Sequence, residues 1–393
     1  MEPGRRLLIV STFVPHFLMH ALVSSLPLFV PLWLTEFAVS RATIGTTMGG
    51  LYVFFGGAAI PVGILADRYG SVPFLEIFLF GSGAGALVLG LSGSYLGLVL
   101  ALLIIGVAGG LYHPPSFRLL SRQSYSSSSL FAYHNVGGNL GLGVGPLLTA
   151  LLLTAVDWRT AMLIAAVVFG LVGILFHVFG PDREVPDRTN EEDGLLSGRL
   201  GSVFTVGFVF VLVIYLLQGI YHRGVVVFIP DYLTEVTTLG AISIFDRRLP
   251  PSRWVYSMML MVGVGGQLFG GYVDERVRST GLIAVQLAVM AGLIVLLGRT
   301  SGIALFAVIA LYGFTMSVIA PILQNLVARH TADSDRGLAY GFTSAGGTAA
   351  GGLLGASLAG WLATVSSYPA MFGTLAVIPV LALAVLLVYV LRF

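Results

Sequence analysis

The octapeptide GILADRYG (63–70) separates two apolar runs, near 42–66 and 72–92, that are each long enough to cross a bilayer as a helix. A related octapeptide, GGYVDERV (270–277), stands 207 residues later between two further apolar runs. Because charged residues are costly inside hydrocarbon, both octapeptides are expected to lie at a membrane surface, between neighbouring helices. The sequence therefore predicts a membrane fold in which short polar loops connect apolar spans.

The rest of the chain has the same character. Of its 393 residues, 56% are hydrophobic and 10% are charged, against about a quarter charged in soluble domains. Cysteine is absent, which excludes disulfides, thiolate metal sites and cysteine nucleophiles. The net charge of +2 gives no global field that would collect nucleic acid, so we expect no nucleic-acid partner. Breaking the chain at charged and turn-rich points gives twelve apolar spans, near 7–34, 42–66, 72–92, 95–120, 128–156, 160–180, 203–233, 252–272, 280–298, 302–328, 338–364 and 368–392.

The two halves of the chain repeat one another. FVPLWLTE (29–36) returns as FIPDYLTE (228–235), and the Ala-Tyr pair at 132–133 returns at 339–340. The second half has an insertion in the loop 237–253. The sequence thus predicts an all-α membrane protein with twelve transmembrane helices in two pseudo-symmetric six-helix bundles. The predicted parts are a bundle over 1–180, a charged cytoplasmic linker over 181–200 and a bundle over 201–393.

The placement of arginine predicts the orientation. With the N-terminus inside, thirteen arginines lie on the cytoplasmic side and six on the other side, as the positive-inside rule requires. We therefore expect a multi-pass protein of the plasma (inner) membrane with both termini in the cytoplasm. One chain supplies both bundles, so a monomer in contact with membrane lipids is expected.

The first octapeptide resembles a motif of the major facilitator superfamily, which reads Gly, three residues, Asp, Arg, any residue and Gly between the second and third helices. The resemblance extends over both halves and implies the twelve-helix fold of that superfamily and transport by alternating access. It also implies a gate in which Asp67 and Arg68 hold the cytoplasmic side closed against the chain near Arg336. The gating residues implied in the two octapeptides are Gly63, Asp67, Arg68, Gly70, Asp274 and Arg276.

GLGVGP (141–146) in the fifth span resembles the antiporter motif of the same superfamily. Gly141, Gly145 and Pro146 match it, whereas Thr149 and Ala150 replace two trailing glycines. Glycines four residues apart let helices approach closely, and proline bends the span. The motif therefore predicts a tightly packed hinge, and it favours export as the direction of transport.

The fourth span departs from the drug exporters of that superfamily, because Leu102 stands where they carry an arginine. Later in the same span, HPPSFR (113–118) resembles the fosmidomycin-resistance-like branch, which has a His-Pro pair at this place. The missing arginine argues against the usual mechanism of proton-coupled drug export, and the His-Pro pair implies, by resemblance, the fosmidomycin-resistance-like or drug-efflux branch.

Polar side chains inside the predicted spans are neutral or basic, and acidic residues are almost absent from the middle of any span. His16, His20 and Ser24 follow one another at four-residue intervals on one helix face. A buried cation such as Arg223 normally faces a wet cavity or a partner, whereas His177 and His330 are expected to be packing or loop residues. We expect one substrate-binding cavity lined by His16, His20, Ser24, His113, His134, Asn135, Asn139, Gln218, His222, Arg223, Gln324 and Asn325.

The sequence thus predicts a secondary active transporter, and no enzyme, that exports a small organic solute, anionic or amphiphilic, with proton coupling. His20, His113 and His134 are the candidates for proton coupling, because the unperturbed pKa of imidazole lies near neutrality. An uncoupled facilitator or importer of organic anions is an alternative, since the lack of buried acids fits it equally well. A divalent metal carrier that uses His16 and His20 is a further alternative. We expect no cofactor and no resident metal.

Overall fold

The computed structural model describes residues 3–121, 127–182, 201–244, 246–332 and 335–392. These residues are almost entirely helical, and they include 11 helices that are long and apolar enough to cross a membrane. The eighth long helix, Pro251–Asp274, is not among the 11. The chain is a multi-pass membrane protein with the all-α fold that its sequence predicts.

Two prolines follow a break in the fourth span, next to His113. The fourth span divides between Gly110 and His113. Pro114 and Pro115 lie in the first turn after the break, where a missing N–H is tolerated because first-turn amides have no partner within the helix. His113 therefore begins a new helix. The helical segments of this half are Pro3–Ser25, a 3₁₀ turn at Leu26–Phe29, Val30–Glu36, Arg41–Gly57, Ala59–Tyr69, Val72–Leu91, Tyr95–Gly110, His113–Ser121, Ser127–Leu152 and Trp158–Phe179.

The second half repeats this order with one addition that the sequence did not predict. An antiparallel hairpin of strands β1 (Ile242–Ile244) and β2 (Arg247–Leu249) lies in the inserted loop. Ile244 pairs with Arg247, and Asp246 between them has a φ of 59°, a left-handed conformation that Asp tolerates better than most residues. The helical segments of this half are Val206–Val236, Pro251–Asp274, Ser279–Leu297, Gly302–His330, Arg336–Thr343, a π-helical Ser344–Ala350, Gly351–Val365, Tyr368–Leu375 and Val377–Arg392.

Contacts between residues divide the chain into two compact units. The first consists of Met1–Leu26 and Phe54–Asp193, and the second consists of Pro27–Val53 and Gly194–Phe393. The end of the first span and the beginning of the second span thus belong with the helices of the second half. The predicted linker lies almost wholly outside the described residues, and the predicted bundle limits stay a prediction about the repeat.

The same helix pairs occur in both halves. In the first unit, the first span packs along the fifth, and the third span packs against the fourth and sixth. In the second unit, the seventh span packs along the eleventh, and the ninth packs against the tenth and twelfth. Lipid tails are as apolar as leucine, so small residues that permit close approach hold such pairs together. This repeated pairing is the pseudo-symmetry that the sequence predicts.

Candidate functional site

Four imidazole rings meet inside the first unit. The ring centroid of His16 lies 4.0 Å from that of His134, 4.8 Å from that of His20 and 5.1 Å from that of His113. Three spans supply them: the first carries His16 and His20, the fourth His113 and the fifth His134. We call His16, His20, His113 and His134 the histidine cluster. All four were predicted site residues, and the structure brings them into contact.

Glycines of the fifth span make room for these rings. A Cβ atom on Gly138 would lie 2.5 Å from Cε1 and 2.6 Å from Nε2 of His16, closer than such atoms approach in proteins. A Cβ atom on Gly141 or Gly145 would collide with the backbone of the first span. The fifth span can therefore lie directly on the first, which lets the rings of His16 and His134 stack. That the motif also acts as a hinge stays a prediction.

Hydrogen bonds determine which nitrogen of His16 carries a proton. Its Nδ1 atom lies 2.8 Å from the backbone oxygen of His134. Because a carbonyl oxygen only accepts, Nδ1 is the donor, and in the neutral ring Nε2 keeps a lone pair. Nε2 of His20 lies 3.1 Å from Nε2 of His16, so His20 donates this hydrogen bond and His16 accepts it. Two imidazoles are thus joined by one N–H···N bond, along which a proton can pass with little movement of heavy atoms.

The other two rings have nitrogens without a hydrogen-bond partner among the described residues. These are Nε2 of His134 and Nδ1 of His113, and both atoms are buried. Nδ1 of His134 faces the hydroxyl oxygen of Tyr112 at 3.5 Å, and that hydroxyl donates to the backbone oxygen of Thr12 at 2.6 Å. A buried polar atom without a partner costs about 1–3 kcal/mol. The fold therefore maintains two bare imidazole nitrogens beside the His16–His20 pair.

The other polar residues predicted for this half do not join the cluster. Ser24 donates its hydroxyl to the backbone oxygen of His20 at 2.5 Å. Asn135 is exposed and Asn139 is half-buried. Arg118, which was not among the predicted site residues, is buried and donates to Ser71 Oγ at 3.3 Å.

In the second unit, Arg223 lies over an aromatic ring. Its guanidinium carbon is 4.4 Å from the ring centre of Tyr52, a buried residue of the helix Arg41–Gly57. A cation over a ring face gains about 0.5–2 kcal/mol. No carboxylate among the described side chains pairs with Arg223. His222 is half-buried, and its Nδ1 has no hydrogen-bond partner within the described ranges; Gln218 is half-buried as well.

The two remaining predicted binding residues lie at the second octapeptide or at the surface. Asn325 donates from Nδ2 to Asp274 Oδ2 at 2.6 Å, and Ser279 donates to Asp274 Oδ1 at 2.6 Å. Gln324 is exposed. The structure therefore places Asn325 in a contact that ties the tenth span to the loop after the eighth.

The predicted gating residues lie at helix ends. Gly70 ends the helix Ala59–Tyr69 with a φ of 84°, a conformation that favours glycine. Arg68 and Arg276 are exposed, and each lies over a nearby tyrosine ring. Gly63 is in ordinary contact distance of the fourth span. The side chain of Asp67 lies outside the described residues, so the latch stays a prediction.

A second polar cluster lies in the second unit, and the sequence analysis did not single it out. Arg41 donates from Nε to Asp231 Oδ2 at 2.6 Å and from Nη2 to Glu235. The hydroxyl of Tyr368 donates to Asp231 and lies 3.1 Å from Arg41 Nε. Asp231 is 5% exposed. We call Arg41, Asp231, Glu235 and Tyr368 the ion-pair cluster; it joins the beginnings of the second and twelfth spans to the seventh.

One sequence signal could have identified it. In the repeat, FVPLWLTE becomes FIPDYLTE, and Asp231 thus stands where the first copy has Leu32. An acid that replaces an apolar residue in a span needs a partner. Arg41, at the first position of the next helix after the first copy, was the available cation.

The chain matches a family model described as Major Facilitator Superfamily over residues 12–246 and 249–392. Among curated proteins, it is similar to the Fosmidomycin resistance protein of Escherichia coli (strain K12), with 29% identity over 138 residues. That alignment covers 35% of this chain and 34% of the relative, so the chain matches about a third of the relative's length.

Two solved structures share the fold over nearly their whole length. A bacterial homologue of the human lysosomal transporter Spinster is 13% identical, with a TM-score of 0.82 and coverage of 100% of this chain and 98% of that one. The nucleoside transporter NupG is 13% identical, with a TM-score of 0.80 and coverage of 97% and 99%. The match over both halves, together with the repeated helix pairs, assigns the chain to the Major Facilitator Superfamily, as a membrane transporter and not an enzyme.

Proposed function

We propose that the protein is a proton-coupled exporter of a small organic solute, anionic or amphiphilic, that works by alternating access. The observation that carries this proposal is the histidine cluster, in which four imidazoles lie in contact within a chain whose spans have almost no acidic residues in their middle. We further propose a monomer in the plasma (inner) membrane with both termini in the cytoplasm.

The histidine cluster is suited to hold one proton at a time. Two imidazolium charges at the 4.0 Å ring separation of His16 and His134 would repel each other by about 4 kcal/mol at an effective dielectric constant near 20. Double protonation is therefore disfavoured, while the N–H···N bond from His20 to His16 offers a path for a single proton. His20, His113 and His134 remain the coupling candidates, and this geometry adds His16 to them.

Arg223 is the candidate for attracting an anionic group of the solute. Tyr52 supports the guanidinium by its ring face, which leaves the planar N–H donors for bidentate bonds to a carboxylate or phosphonate. His222 and Gln218 on the same helix would complete the polar contacts. The name of the curated relative, a fosmidomycin resistance protein, supports export of a small organic compound.

The ion-pair cluster is a candidate gate. It ties the second span to the seventh and twelfth by contacts of Arg41 and Tyr368 with Asp231, and in the proposed orientation these residues lie on the side away from the cytoplasm. Alternating access would require these contacts to break in one half of the cycle. Asp67 and Arg68 would act as the gate on the cytoplasmic side.

The proposal is tested in two steps. Ligands are first found by thermal-shift measurements on the purified protein with fosmidomycin and a panel of small carboxylates and phosphonates, because a ligand of the folded state raises its apparent stability. Transport of a ligand is then measured in proteoliposomes with and without an imposed pH gradient. We expect the gradient to accelerate transport; equal rates would favour the uncoupled facilitator instead.

Variants separate coupling from binding. His134→Gln should reduce gradient-driven transport to the rate without a gradient while ligand binding persists, because the variant removes a ring from the cluster but not Arg223.

Arg223→Ala should weaken binding of anionic ligands at least tenfold. His330→Gln, at an imidazole that bonds Tyr389 instead, is the matched control and should change neither. Unchanged affinity in Arg223→Ala would refute its role.

A further inference from the structure

The histidine cluster has a property that proton coupling does not require. One ring nitrogen from each of His16, His113 and His134 can be chosen so that all three lie within 4.8 Å of one another. We propose that the cluster binds one divalent transition-metal ion through imidazole nitrogens of these three residues, with His20 as a fourth ligand. The sequence suggested only His16 and His20 as metal ligands; the structure draws them from three spans.

The rings are oriented as metal ligands require. A histidine that binds a metal usually donates its other N–H to a carbonyl or carboxylate, which fixes the ring and its tautomer. Nδ1 of His16 does so to the backbone oxygen of His134 at 2.8 Å, so its Nε2 lone pair is directed to the cluster. His134 keeps Nε2 bare in the same way, with Nδ1 towards the Tyr112 hydroxyl.

The unpartnered nitrogens are the second observation. Nδ1 of His113 and Nε2 of His134 are buried and have no hydrogen-bond partner among the described residues. A bond to a metal would remove the penalty of about 1–3 kcal/mol that each such atom costs. His20 would release its hydrogen bond to His16 and offer a nitrogen to the ion instead.

The required movement is small. Imidazole nitrogen binds zinc at about 2.0–2.1 Å, which places tetrahedral ligands roughly 3.4 Å apart. The three nitrogens lie at most 4.8 Å apart. Side-chain rotations that move each nitrogen by about 1 Å would bring them to the spacing of tetrahedral ligands. A Cβ atom on Gly138 would meet the ring of His16 and one on Gly141 would meet Cβ of His20, so glycine at these positions leaves space beside both residues.

The donor set selects the class of ion. Imidazole without thiolate or carboxylate suits Zn²⁺, Co²⁺, Ni²⁺ and Cu²⁺ and disfavours Mg²⁺ and Ca²⁺, which prefer oxygen. Because the ligands are neutral, an anion that takes the place of His20 as fourth ligand would lower the cost of a dication at membrane depth. A bound ion would occupy the nitrogens proposed to carry the coupling proton, and it should therefore inhibit transport. Binding itself can be measured at equilibrium without substrate or gradient, so its failure and the failure of proton coupling are distinguishable.

The experiment uses the full chain, purified with a tag that contains no histidine, and titrates it with Co²⁺. We expect the visible absorption bands of tetrahedral Co²⁺ to saturate at one ion per chain, to disappear on addition of Zn²⁺, and to be unaffected by Mg²⁺. His113→Gln and His134→Gln should each weaken Co²⁺ binding at least tenfold. Their metal-free unfolding temperatures are measured alongside, so that loss of binding is separated from loss of the fold.

The matched control is the double variant H177Q/H330Q. These imidazoles lie outside the cluster, His177 beside Glu76 and His330 beside Tyr389. The double variant should keep one Co²⁺ per chain with unchanged bands. Saturable binding that is lost in H177Q/H330Q but kept in His113→Gln would overturn the proposal, as would the absence of tetrahedral bands from the unmodified chain.

Discussion

The two polar clusters of this transporter are constructed in opposite ways. In the ion-pair cluster, the cation Arg41 meets two carboxylates, and a tyrosine hydroxyl adds a further bond to Asp231. In the histidine cluster, no carboxylate accompanies the rings among the described residues, and two buried nitrogens have no hydrogen-bond partner. Paired charges stabilise a contact between helices, whereas bare polar atoms are suited to receive a proton or a ligand. The ion-pair cluster is therefore suited to hold helices together, and the histidine cluster is suited to bind a proton or a ligand.

The repeat makes the contrast sharper. The second half follows the first by 199 residues before the inserted loop and by 207 residues after it, so the four histidines correspond to Tyr215, Gly219, Ala320 and Gly341. The helix pairs are therefore duplicated, while the imidazoles are present in one copy only. Helix packing needs small residues at contact positions and tolerates different side chains elsewhere, so the two copies could acquire different chemistry.

The largest expected effect is that of Asp231→Ala. It removes the hydrogen bonds that Arg41 and Tyr368 donate to the buried carboxylate of Asp231, which should lower the free energy of unfolding by about 3 kcal/mol. The double variant R41A/D231A should lose less than the sum of the single variants, because it removes both charges. SDS unfolding in mixed micelles measures both. The control Glu275→Ala, at a side chain 79% exposed, should change stability by less than about 0.5 kcal/mol, and additive single effects would contradict the pairing.

Gly138→Ala tests the packing beneath the histidine cluster. The added methyl group would meet the ring of His16, and overpacking of this kind should cost about 2 kcal/mol. It should also weaken Co²⁺ binding, because the ring must move. Gly170→Ala is the control, since a Cβ atom there meets nothing within 4 Å. Equal unfolding curves for the two variants would show that Gly138 does not position the ring.

Tyr368→Phe removes one bond of the ion-pair cluster and leaves the charges in place. A hydrogen bond to a carboxylate contributes about 1.5 kcal/mol, so this variant should be less destabilised than Asp231→Ala. Tyr69→Phe, at an exposed tyrosine, serves as the control in the same unfolding assay. A loss as large as that of Asp231→Ala would mean that the ring, and not the charge pair, maintains the contact.

The smallest effect is expected for His177→Gln. Its Nδ1 lies 2.9 Å from Glu76 Oε1, and its side chain is 58% exposed. An exposed pair contributes less than about 0.5 kcal/mol. Unfolding and gradient-driven transport should both match the unmodified chain, in contrast to His134→Gln. Impaired transport in this variant would place a coupling group outside the cluster.

The spans could be predicted from the sequence to within a few residues. The seventh, predicted over 203–233, is the helix Val206–Val236, because hydropathy and charge are local properties. The hairpin of β1 and β2 was missed, since two strands of three residues carry too little alternation to be recognised. Asn325 was predicted to line the substrate-binding cavity, which stays a prediction, and the structure adds that its side chain bonds Asp274. The face that a side chain presents depends on a neighbouring helix that the sequence does not identify.

The sequence by itself determined that this chain crosses a membrane, that its two halves repeat and that imidazoles replace acids within the spans. Only the tertiary structure decided which imidazoles meet, which of their nitrogens are bare and which acids pair with Arg41. The physical reason is the separation along the chain over which each property is decided. Burial in lipid is decided residue by residue along the chain, whereas the bond from His16 to His134 joins positions 118 residues apart and exists only because glycines bring two spans together.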